Sequence, residues 1–494
     1  MVGRIKWDCA KFEIASCATA KPNMDRVLKT FAMSLPWSSW PALMLVLLAC
    51  ALRLVALDHS PPAFYIDEAM GAAHSLSYQQ TGLDLFGKIG LFSKSDSSGF
   101  YSAPFLLSGA AWSALFGASP VAFRSLVAVI GILSVLGVYR LMSNAAGGAE
   151  KALLAAMFAA CLPWAFQFSR ISWDAPLATC FLIWAVSTAY RTPARMFQVW
   201  NCVLAGVLFA LASYTYAPMR LNAILLLALL PGLPFRPKVA MFAVFGLLNV
   251  PVVPYYLDAE FVSRSQLLSL TSSYPDNPFR DASGPGLLAA YITQLSRHLS
   301  LDFLLLRGDS NLRHSVQAFG MLDIVTFFGC LLAFAAWIRG FPPKQEAKHL
   351  TWHEAKAYLV SRDTLIFRIG LAGVVAGITP AALTWEGVPH AIRAMGSWPF
   401  FVVLAADGWS RVTARWPRAF LAVCVASALC FAFYARNYFF EYPRICGDWF
   451  DRKIVERIRL TGEIPDDYGK VAKAYYRVSV KGERCSDIQE ELTR

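Results

Sequence analysis

Two carboxylate-bearing stretches of the sequence could do chemistry, because each lies at the end of a long apolar run. Asp67 and Glu68 are adjacent and follow the first run, 38–57. Asp174 closes the polar stretch 169–174 between two further runs. Carboxylates at a membrane edge are costly unless they have a function, and they can abstract protons, orient reactants or hold a divalent cation. We therefore predict Asp67, Glu68 and Asp174 as catalytic residues, and as the ligands if a metal ion is present.

A structural role for the same residues stays open. Asp67 could cap a helix 68–81 that stops at Gly82. Asp174 could cap a helix with Pro176 in its first turn.

Arginine and histidine side chains form the second group of candidates. A guanidinium fork matches phosphate oxygens, and isolated arginines outside the cytoplasm run against the usual distribution of basic residues in membrane proteins. For any single arginine, extension of the side chain towards the lipid–water interface is the alternative. The predicted phosphate-binding residues are Arg53, Arg124, Arg170, Arg220, Arg313, His314, His390 and Arg393.

The elements that must position these residues are membrane-spanning helices. Of the 494 residues, 56% are hydrophobic and only 16% are charged, whereas soluble domains carry about 25% charged residues. Several continuous apolar runs are long enough to cross a bilayer as helices and lack the alternation of a β-barrel. The net charge of +12 fits basic cytoplasmic loops, and nucleic acid is excluded as a partner because no basic block is interleaved with aromatic residues.

The apolar runs predict an all-α polytopic membrane protein with about eleven transmembrane helices. A twelfth run, 103–116, is short and predicts an interfacial helix. This choice places Arg191, Arg195, Arg236, Lys238 and the basic residues after 340 on the cytoplasmic side, with the N-terminus inside and the C-terminus outside. The predicted spans are 38–57, 121–141, 151–168, 175–190, 198–214, 218–233, 239–257, 317–338, 364–383, 394–409 and 417–435.

This topology divides the chain into three parts. A cytoplasmic leader (1–36) precedes a transmembrane domain (37–435), and a small C-terminal segment (436–494) lies outside. Within the transmembrane domain we predict a first outer loop with interfacial helices (58–120), a long outer loop (258–316) and a cytoplasmic loop (339–363). Cys446 and Cys485 both fall in the outer segment, where disulfides persist, so we predict that they pair.

The two groups of residues together predict an outward-facing cavity. Carboxylates would abstract an acceptor proton, and arginines would stabilise a phosphate leaving group, as glycosyl transfer from a lipid phosphate requires. The alternative is a transporter or flippase for a lipid-linked or anionic substrate. Such proteins often have matched halves with broken helices near the membrane midplane, and the sequence has no such symmetry. A non-catalytic scaffold would not need the combination of carboxylates and arginines.

Between Trp40 and Tyr434 the chain resembles the GT-C glycosyltransferases of the protein O-mannosyltransferase and lipid A aminoarabinose transferase type. The resemblance depends on the order of several short motifs and on the membrane side where they fall. These are Asp67-Glu68, Gly82, Pro104, Phe116-Gly-Ala-Ser-Pro-Val-Ala-Phe-Arg124, Ser169-Arg170, Asp174-Ala-Pro-Leu177, Tyr216-Ala-Pro218-Met-Arg220-Leu221, Gly308-Asp309 with Arg313-His314, and Pro389-His390-Ala-Ile-Arg393.

The resemblance implies a GT-C fold and an enzyme that transfers a hexose or pentose from a polyprenyl-phosphate carrier with inversion. Asp67 matches the catalytic base, Asp174 matches the acidic residue after the Ser-Arg turn, and Tyr216 and Asp309 join the substrate-binding residues. No cofactor is expected, and a divalent cation stays open. We expect a bacterial inner-membrane location, with membrane lipids around the protein and a periplasmic active site. Tyr101-Ser-Ala-Pro104-Phe105 stands where protein mannosyltransferases carry His-Pro-Pro-Leu, which leaves the acceptor open among lipid, glycan and protein.

Overall fold

The computed structural model describes residues 39–96, 99–191, 195–340 and 362–493, and this part of the chain is mainly helical. The predicted cytoplasmic leader and most of the loop 339–363 lie outside the described residues. The helices are α1 (Trp40–Ala51), α2 (Ile66–Thr81), α3 (Ala103–Phe116), α4 (Pro120–Ala146), α5 (Ala149–Cys161), α6 (Pro163–Phe168), α7 (Ala175–Ala189), α8 (Arg195–Thr215), α9 (Ala217–Leu229), α10 (Phe235–Asn249), α11 (Val253–Tyr256), α12 (Ala259–Leu268), α13 (Pro285–His298), α14 (Ile324–Gly340), α15 (Arg362–Ala382), α16 (Trp398–Arg415), α17 (Arg418–Arg436), α18 (Tyr442–Ile445), α19 (Arg452–Thr461), α20 (Lys470–Ser479) and α21 (Cys485–Thr493).

Four stretches of the described chain are long and apolar enough to cross a membrane: Pro120–Ala146, Phe235–Tyr256, Thr364–Ala382 and Arg418–Ile445. Other predicted spans are shorter helices or are interrupted. The predicted span 151–168, for example, breaks between α5 and α6, where Pro163 starts a new helix because its ring cannot continue the preceding one. The number of eleven crossings stays a prediction.

The first outer loop contains the predicted interfacial helices α2 and α3. Gly82 ends α2 with a positive φ of 75°, which glycine adopts without strain. Pro104 lies in the first turn of α3. The loop also contains a short antiparallel hairpin of β1 (Phe92–Lys94) and β2 (Phe100–Ser102), in which Ser93 pairs with Tyr101. The all-α prediction missed this hairpin, since three-residue strands are too short to show a periodic pattern.

The C-terminal segment packs on the first outer loop. Tyr476 and Tyr475 donate hydrogen bonds to the carbonyls of Phe64 (2.6 Å) and Ala118 (3.0 Å). In the opposite direction, the Asp96 carboxylate accepts the N–H of Val471 at the start of α20 (2.9 Å). The segment is thus fixed over α2 by buried aromatic residues and helix capping.

The predicted disulfide is not formed, because Cys446 and Cys485 are both buried free thiols. The part of the segment that contains Cys446 meets the first residue of α2, Ile66, through Asp451. Cys485 lies elsewhere: its backbone N–H donates a hydrogen bond to the Gln80 side-chain oxygen, near the end of α2. The two ends of this helix are about 20 Å apart at 1.5 Å per residue, whereas a disulfide needs Cα atoms within about 7 Å.

Candidate active site

The loops that the sequence predicts to lie outside enclose a cavity of about 660 Å³. Its wall is formed by the start of α2, the hairpin, the turn before α7, the junction of α8 and α9, helix α12, and the loops 311–314 and 390–393. Two carboxyl groups therefore share one cavity with four guanidinium groups and two imidazoles. The ionisable residues that line it and are discussed below are Asp67, Asp174, Arg220, Arg264, Arg313, His314, His390 and Arg393.

Asp67 is the second residue of α2 and faces the cavity. Its side chain does not cap the helix. Instead, Oδ2 accepts a hydrogen bond from the Tyr65 hydroxyl (2.9 Å), while the Tyr101 hydroxyl donates to the Asp67 carbonyl (2.7 Å). The position in the first turn of a helix favours a negative charge. The Tyr65 hydroxyl thus holds the Asp67 carboxylate at the edge of the cavity.

Asp174 lies at the N-cap position of α7 and borders the same cavity, and its carboxyl makes no capping hydrogen bond with that helix. Burial raises the pKa of Asp174 to about 7, although the backbone N–H groups of Asp174 and Ala175 favour the ionised form. A carboxyl with a pKa near neutrality can exchange a proton at physiological pH.

Glu68 does not reach the cavity, which corrects the expectation that it acts on the substrate or holds a metal ion. Its carboxylate is fully buried and accepts Arg124 Nε at 2.9 Å and Arg124 Nη2 at 2.6 Å. It also accepts the N–H of Ser172 at 2.8 Å. Glu68 therefore fixes the turn that carries Asp174 against the helix that carries Asp67.

Three of the predicted phosphate-binding arginines are buried structural residues, which is a second correction. Arg170 donates to five carbonyls between Leu52 and Ser60. Arg53 binds carbonyls of α1 and α5, and Arg124 binds carbonyls of the segment 57–63 in addition to Glu68. The irregular backbone after α1 leaves many carbonyls without helical partners, and the five N–H donors of a guanidinium satisfy them.

Two of the arginines that line the cavity, Arg220 and Arg313, lie against aromatic rings. The Arg220 guanidinium carbon lies 4.8 Å from the centre of the Phe261 ring and 5.3 Å from that of Phe92. The Arg313 guanidinium carbon lies 5.1 Å from the centre of the Tyr65 ring. Cation–π contacts of this kind fix a guanidinium without using its N–H groups.

Several buried polar atoms of the cavity have no hydrogen-bond partner among the described residues, namely Arg220 Nε, Arg313 Nε and His390 Nδ1. A buried donor without a partner is costly. The first turn of α9, at Ala217 and Pro218, also borders the cavity, and helix N-termini attract anions. Positively charged donors and the first turn of a helix thus border the same cavity.

Asp309 stands behind the cavity wall. Its Oδ2 lies 2.8 Å from His314 Nδ1 and accepts the N–H of Ala391 at 2.7 Å, and its Oδ1 accepts the N–H of Asn311 at 2.8 Å. The ligand atoms of Asp309, His314 and His390 all lie within 4.8 Å of one another.

Because the Asp309 oxygens already accept these hydrogen bonds, the imidazoles are the groups that could bind a metal ion, with Asp309 orienting His314. Burial, together with the nearby charge of Arg393, lowers the pKa of His390 well below its ordinary value. A neutral imidazole can ligate a metal or accept a hydrogen bond.

The remaining predicted residues, Tyr216 and Arg393, both border the cavity. Arg393 is anchored by Thr384 Oγ1 (3.1 Å) and the Glu386 carbonyl (2.8 Å).

Sequence reasoning missed Arg264, which also lines the cavity. Asp258 caps α12, and within that helix Arg264 is three residues from Phe261 and four from Leu268. Residues at these spacings share a helix face, so the pattern could have revealed Arg264. No local signal marks Tyr65 and Tyr101 as neighbours of Asp67.

Comparison with known proteins gives a family match for one part of the chain. Residues 103–255 match the family described as dolichyl-phosphate-mannose-protein mannosyltransferase. This segment includes Asp174, Tyr216 and Arg220, and it confirms the resemblance that the sequence motifs predicted. The search of curated proteins found no match to this sequence.

Two solved structures are similar to this chain at low sequence identity. The archaeal oligosaccharyltransferase AglB from Archaeoglobus fulgidus, in complex with an inhibitory peptide and a dolichol-phosphate, is 15% identical, with a TM-score of 0.49 over 89% of this chain. ArnT from Cupriavidus metallidurans, bound to undecaprenyl phosphate, is 14% identical, with a TM-score of 0.46 over 92% of this chain and 78% of its own. The chain spans 60% of the length of the archaeal enzyme.

Proposed function

We propose that the protein is a membrane glycosyltransferase that moves a sugar from a polyprenyl-phosphate carrier to an acceptor on the periplasmic face of the bacterial inner membrane. The observation that carries this proposal is the cavity itself, in which Asp67 and Asp174 face the same space as four arginines. A cavity that only bound phosphate would gain nothing from two carboxylates, which repel a phosphate.

In the proposed reaction the acceptor hydroxyl gives its proton to Asp67, and its oxygen attacks the anomeric carbon of the donor. The bond between that carbon and the phosphate oxygen breaks, and the electron pair leaves with the phosphate. A single displacement of this kind inverts the anomeric centre. The Tyr65 hydroxyl holds the Asp67 carboxylate in place, and orientation of this kind accounts for much of enzymatic rate enhancement.

The leaving phosphate gains charge as the bond breaks, and the arginines of the cavity would stabilise it. Arg220 and Arg313 are fixed by aromatic rings, so little reorganisation is needed when the charge develops. Asp174, with a pKa of about 7, can donate a hydrogen bond to the sugar when protonated. Its backbone position is set by Glu68, through the N–H of Ser172.

The proposal leaves the acceptor open among lipid, glycan and protein. The sugar is defined only as a hexose or pentose. A divalent cation at His314 and His390 is compatible with the arrangement of these side chains, but none of the steps above requires it.

The test uses purified protein in detergent with a panel of radiolabelled undecaprenyl-phosphate sugars, with EDTA in half of the reactions. We expect release or transfer of sugar from at least one donor, and the anomeric configuration of the product, read by NMR, should be inverted. Loss of activity with EDTA would add a metal ion to the account. Failure with every donor, together with movement of lipid-linked sugar across liposomes, would replace the proposal with transport.

A further inference from the structure

Three consecutive residues of the C-terminal segment, Trp449, Phe450 and Asp451, lie next to residues of the cavity wall. None of the three borders the cavity itself. Trp449 contacts Arg313 and Phe450 contacts Tyr65, which both line the cavity, and Asp451 binds Ile66, the neighbour of Asp67. We call them the triplet.

Asp451 binds the first residue of the helix that carries Asp67. Its Oδ2 accepts the N–H of Ile66 at 3.1 Å and the Tyr468 hydroxyl at 3.3 Å. The N–H of Ile66 belongs to the first turn of α2, where backbone donors have no partner within the helix. Asp451 itself precedes α19 but does not cap it with its side chain. Its carboxylate therefore serves the start of α2 rather than its own helix.

The backbone of Asp451 has an uncommon conformation at this contact. It adopts a φ of 53°, in the left-handed region, which aspartate and asparagine tolerate better than most residues. In this conformation the carboxylate binds Ile66 and leaves α19 uncapped.

The other two residues of the triplet reach the neighbours of Asp67. The buried Phe450 ring packs edge-on against Tyr65, with ring centres 5.4 Å apart, and Tyr65 donates the hydrogen bond to the Asp67 carboxylate. The centre of the Trp449 ring lies 5.5 Å from the Arg313 guanidinium carbon. The Tyr65 ring contacts the same guanidinium.

The backbone next to Arg313 is held from the same segment. The Tyr442 hydroxyl donates to the Leu312 carbonyl at 2.6 Å. Gln167 donates both to the Arg313 carbonyl (3.1 Å) and to the Tyr442 hydroxyl (3.3 Å). The C-terminal segment thus fixes the backbone and the side chain of Arg313 together.

We propose that the triplet positions the active site: Asp451 fixes the start of α2 and so the Asp67 carboxylate, and Trp449 fixes the Arg313 guanidinium. This inference rests on the proposed function of Asp67 and Arg313. The C-terminal segment thereby fixes the group for proton abstraction, Asp67, relative to the group for phosphate binding, Arg313.

The first test compares Asp451→Gly with Asp451→Asn. Glycine removes the carboxylate without straining the positive φ, whereas the asparagine amide oxygen can still accept the Ile66 N–H. We expect kcat to fall about 10-fold or more in the glycine variant, since small displacements of reacting groups have effects of this size, and to recover largely in the asparagine variant. Asp448→Gly is the matched control, because Asp448 lies in the same segment and is 79% exposed.

A second measurement separates positioning from a loss of stability. If Asp451 acts through Asp67, Asp451→Gly should have no further effect on the residual rate of an Asp67→Asn protein. Hydrogen exchange of the amides at residues 64–70 in the unliganded protein should be faster in Asp451→Gly and unchanged in the control. This readout needs no donor, so it tests the inference even if the proposed reaction fails.

The third test concerns Trp449 and uses undecaprenyl phosphate as the probe. Trp449→Ala should weaken binding about 5-fold, in line with one cation–π contact, and Trp449→Phe should restore most of it. In an Arg313→Gln background the alanine change should have no further effect.

The outcomes separate the two proposals. The positioning role is overturned if wild type is active, Asp451→Gly is equally active and its amide exchange is unchanged. The transferase proposal then stands. A wild type that is inactive with every donor but moves lipid-linked sugar across liposomes overturns the transferase proposal. Faster amide exchange in Asp451→Gly would still support the positioning role.

Discussion

Replacing Glu68 with glutamine tests whether the buried ion pair with Arg124 holds the cavity together. Both side chains are essentially unexposed, and the carboxylate accepts hydrogen bonds from two arginine nitrogens and from the N–H of Ser172. The glutamine can keep one oxygen in place, but its amide group then faces a guanidinium N–H donor. Arg124 would become a buried charge without a counter-charge.

The expected loss is large for a single isosteric substitution. Removing one partner of a buried ion pair costs about 3–5 kcal/mol. With an unfolding entropy of about 2.1 cal/mol/K per residue, the 494 residues give about 1 kcal/mol per degree. The melting temperature in detergent should therefore fall by about 3–5 °C. Intrinsic tryptophan fluorescence during heating is a suitable assay.

The matched control is Glu456→Gln. Glu456 accepts a hydrogen bond from Arg452 Nε at 2.8 Å, but both side chains of this pair are about half exposed. Exposed pairs contribute about 0.2–1 kcal/mol, so the melting temperature should change by about 1 °C or less. If the melting temperature of Glu68→Gln falls no further than that of Glu456→Gln, the buried ion pair does not stabilise the fold by the amount expected.

Three further predictions follow from the same contacts. Because the Asp174 carboxyl has a pKa of about 7 in the folded protein against an ordinary value of 3.8, the folded state binds its proton more tightly. Wild type should therefore lose stability relative to Asp174→Asn as the pH rises from about 4 to about 7, by at most about 4 kcal/mol, and melting curves at pH 5 and pH 8 check this. Arg220→Gln should weaken undecaprenyl-phosphate binding roughly 10-fold or more with little change in melting temperature. Arg53→Gln should instead lower the melting temperature. If both variants weakened binding equally, the distinction between cavity arginines and structural arginines would be wrong. Finally, Cys446 and Cys485 should both be alkylated in denaturant without reductant, as mass spectrometry can show, and a disulfide-linked peptide would contradict the structure.

The sequence was sufficient for those features that depend on local signals. Pro104 and Gly82 marked a helix start and a helix end that the structure contains. Six of the predicted binding residues, among them Tyr216 and His390, do border one cavity. The predicted topology assigned all six residues to the same side of the membrane, and the structure brings them to one cavity.

The roles of individual arginines could not be predicted in this way. Arg53, Arg124 and Arg170 have the same sequence surroundings as cavity arginines, but they bind carbonyls. For Arg170, those carbonyls lie more than 100 residues earlier in the chain. These donors are needed because the backbone after α1 is irregular and its carbonyls lack helical partners. The hydrophobic periodicity of the sequence does not reveal such carbonyls. The contact between Asp451 and Ile66 joins residues that are 385 positions apart in the sequence.

The central claim is that Asp67 performs proton abstraction in a cavity that binds the donor phosphate through other residues. The most direct test measures, in the same preparation, undecaprenyl-phosphate affinity and single-turnover sugar transfer for wild type, Asp67→Asn and Asp58→Asn, an exposed carboxylate of the same loop. We predict that Asp67→Asn binds the lipid phosphate like wild type but transfers sugar about 10²-fold more slowly or worse, while Asp58→Asn behaves as wild type. Transfer at the wild-type rate by Asp67→Asn would contradict the account.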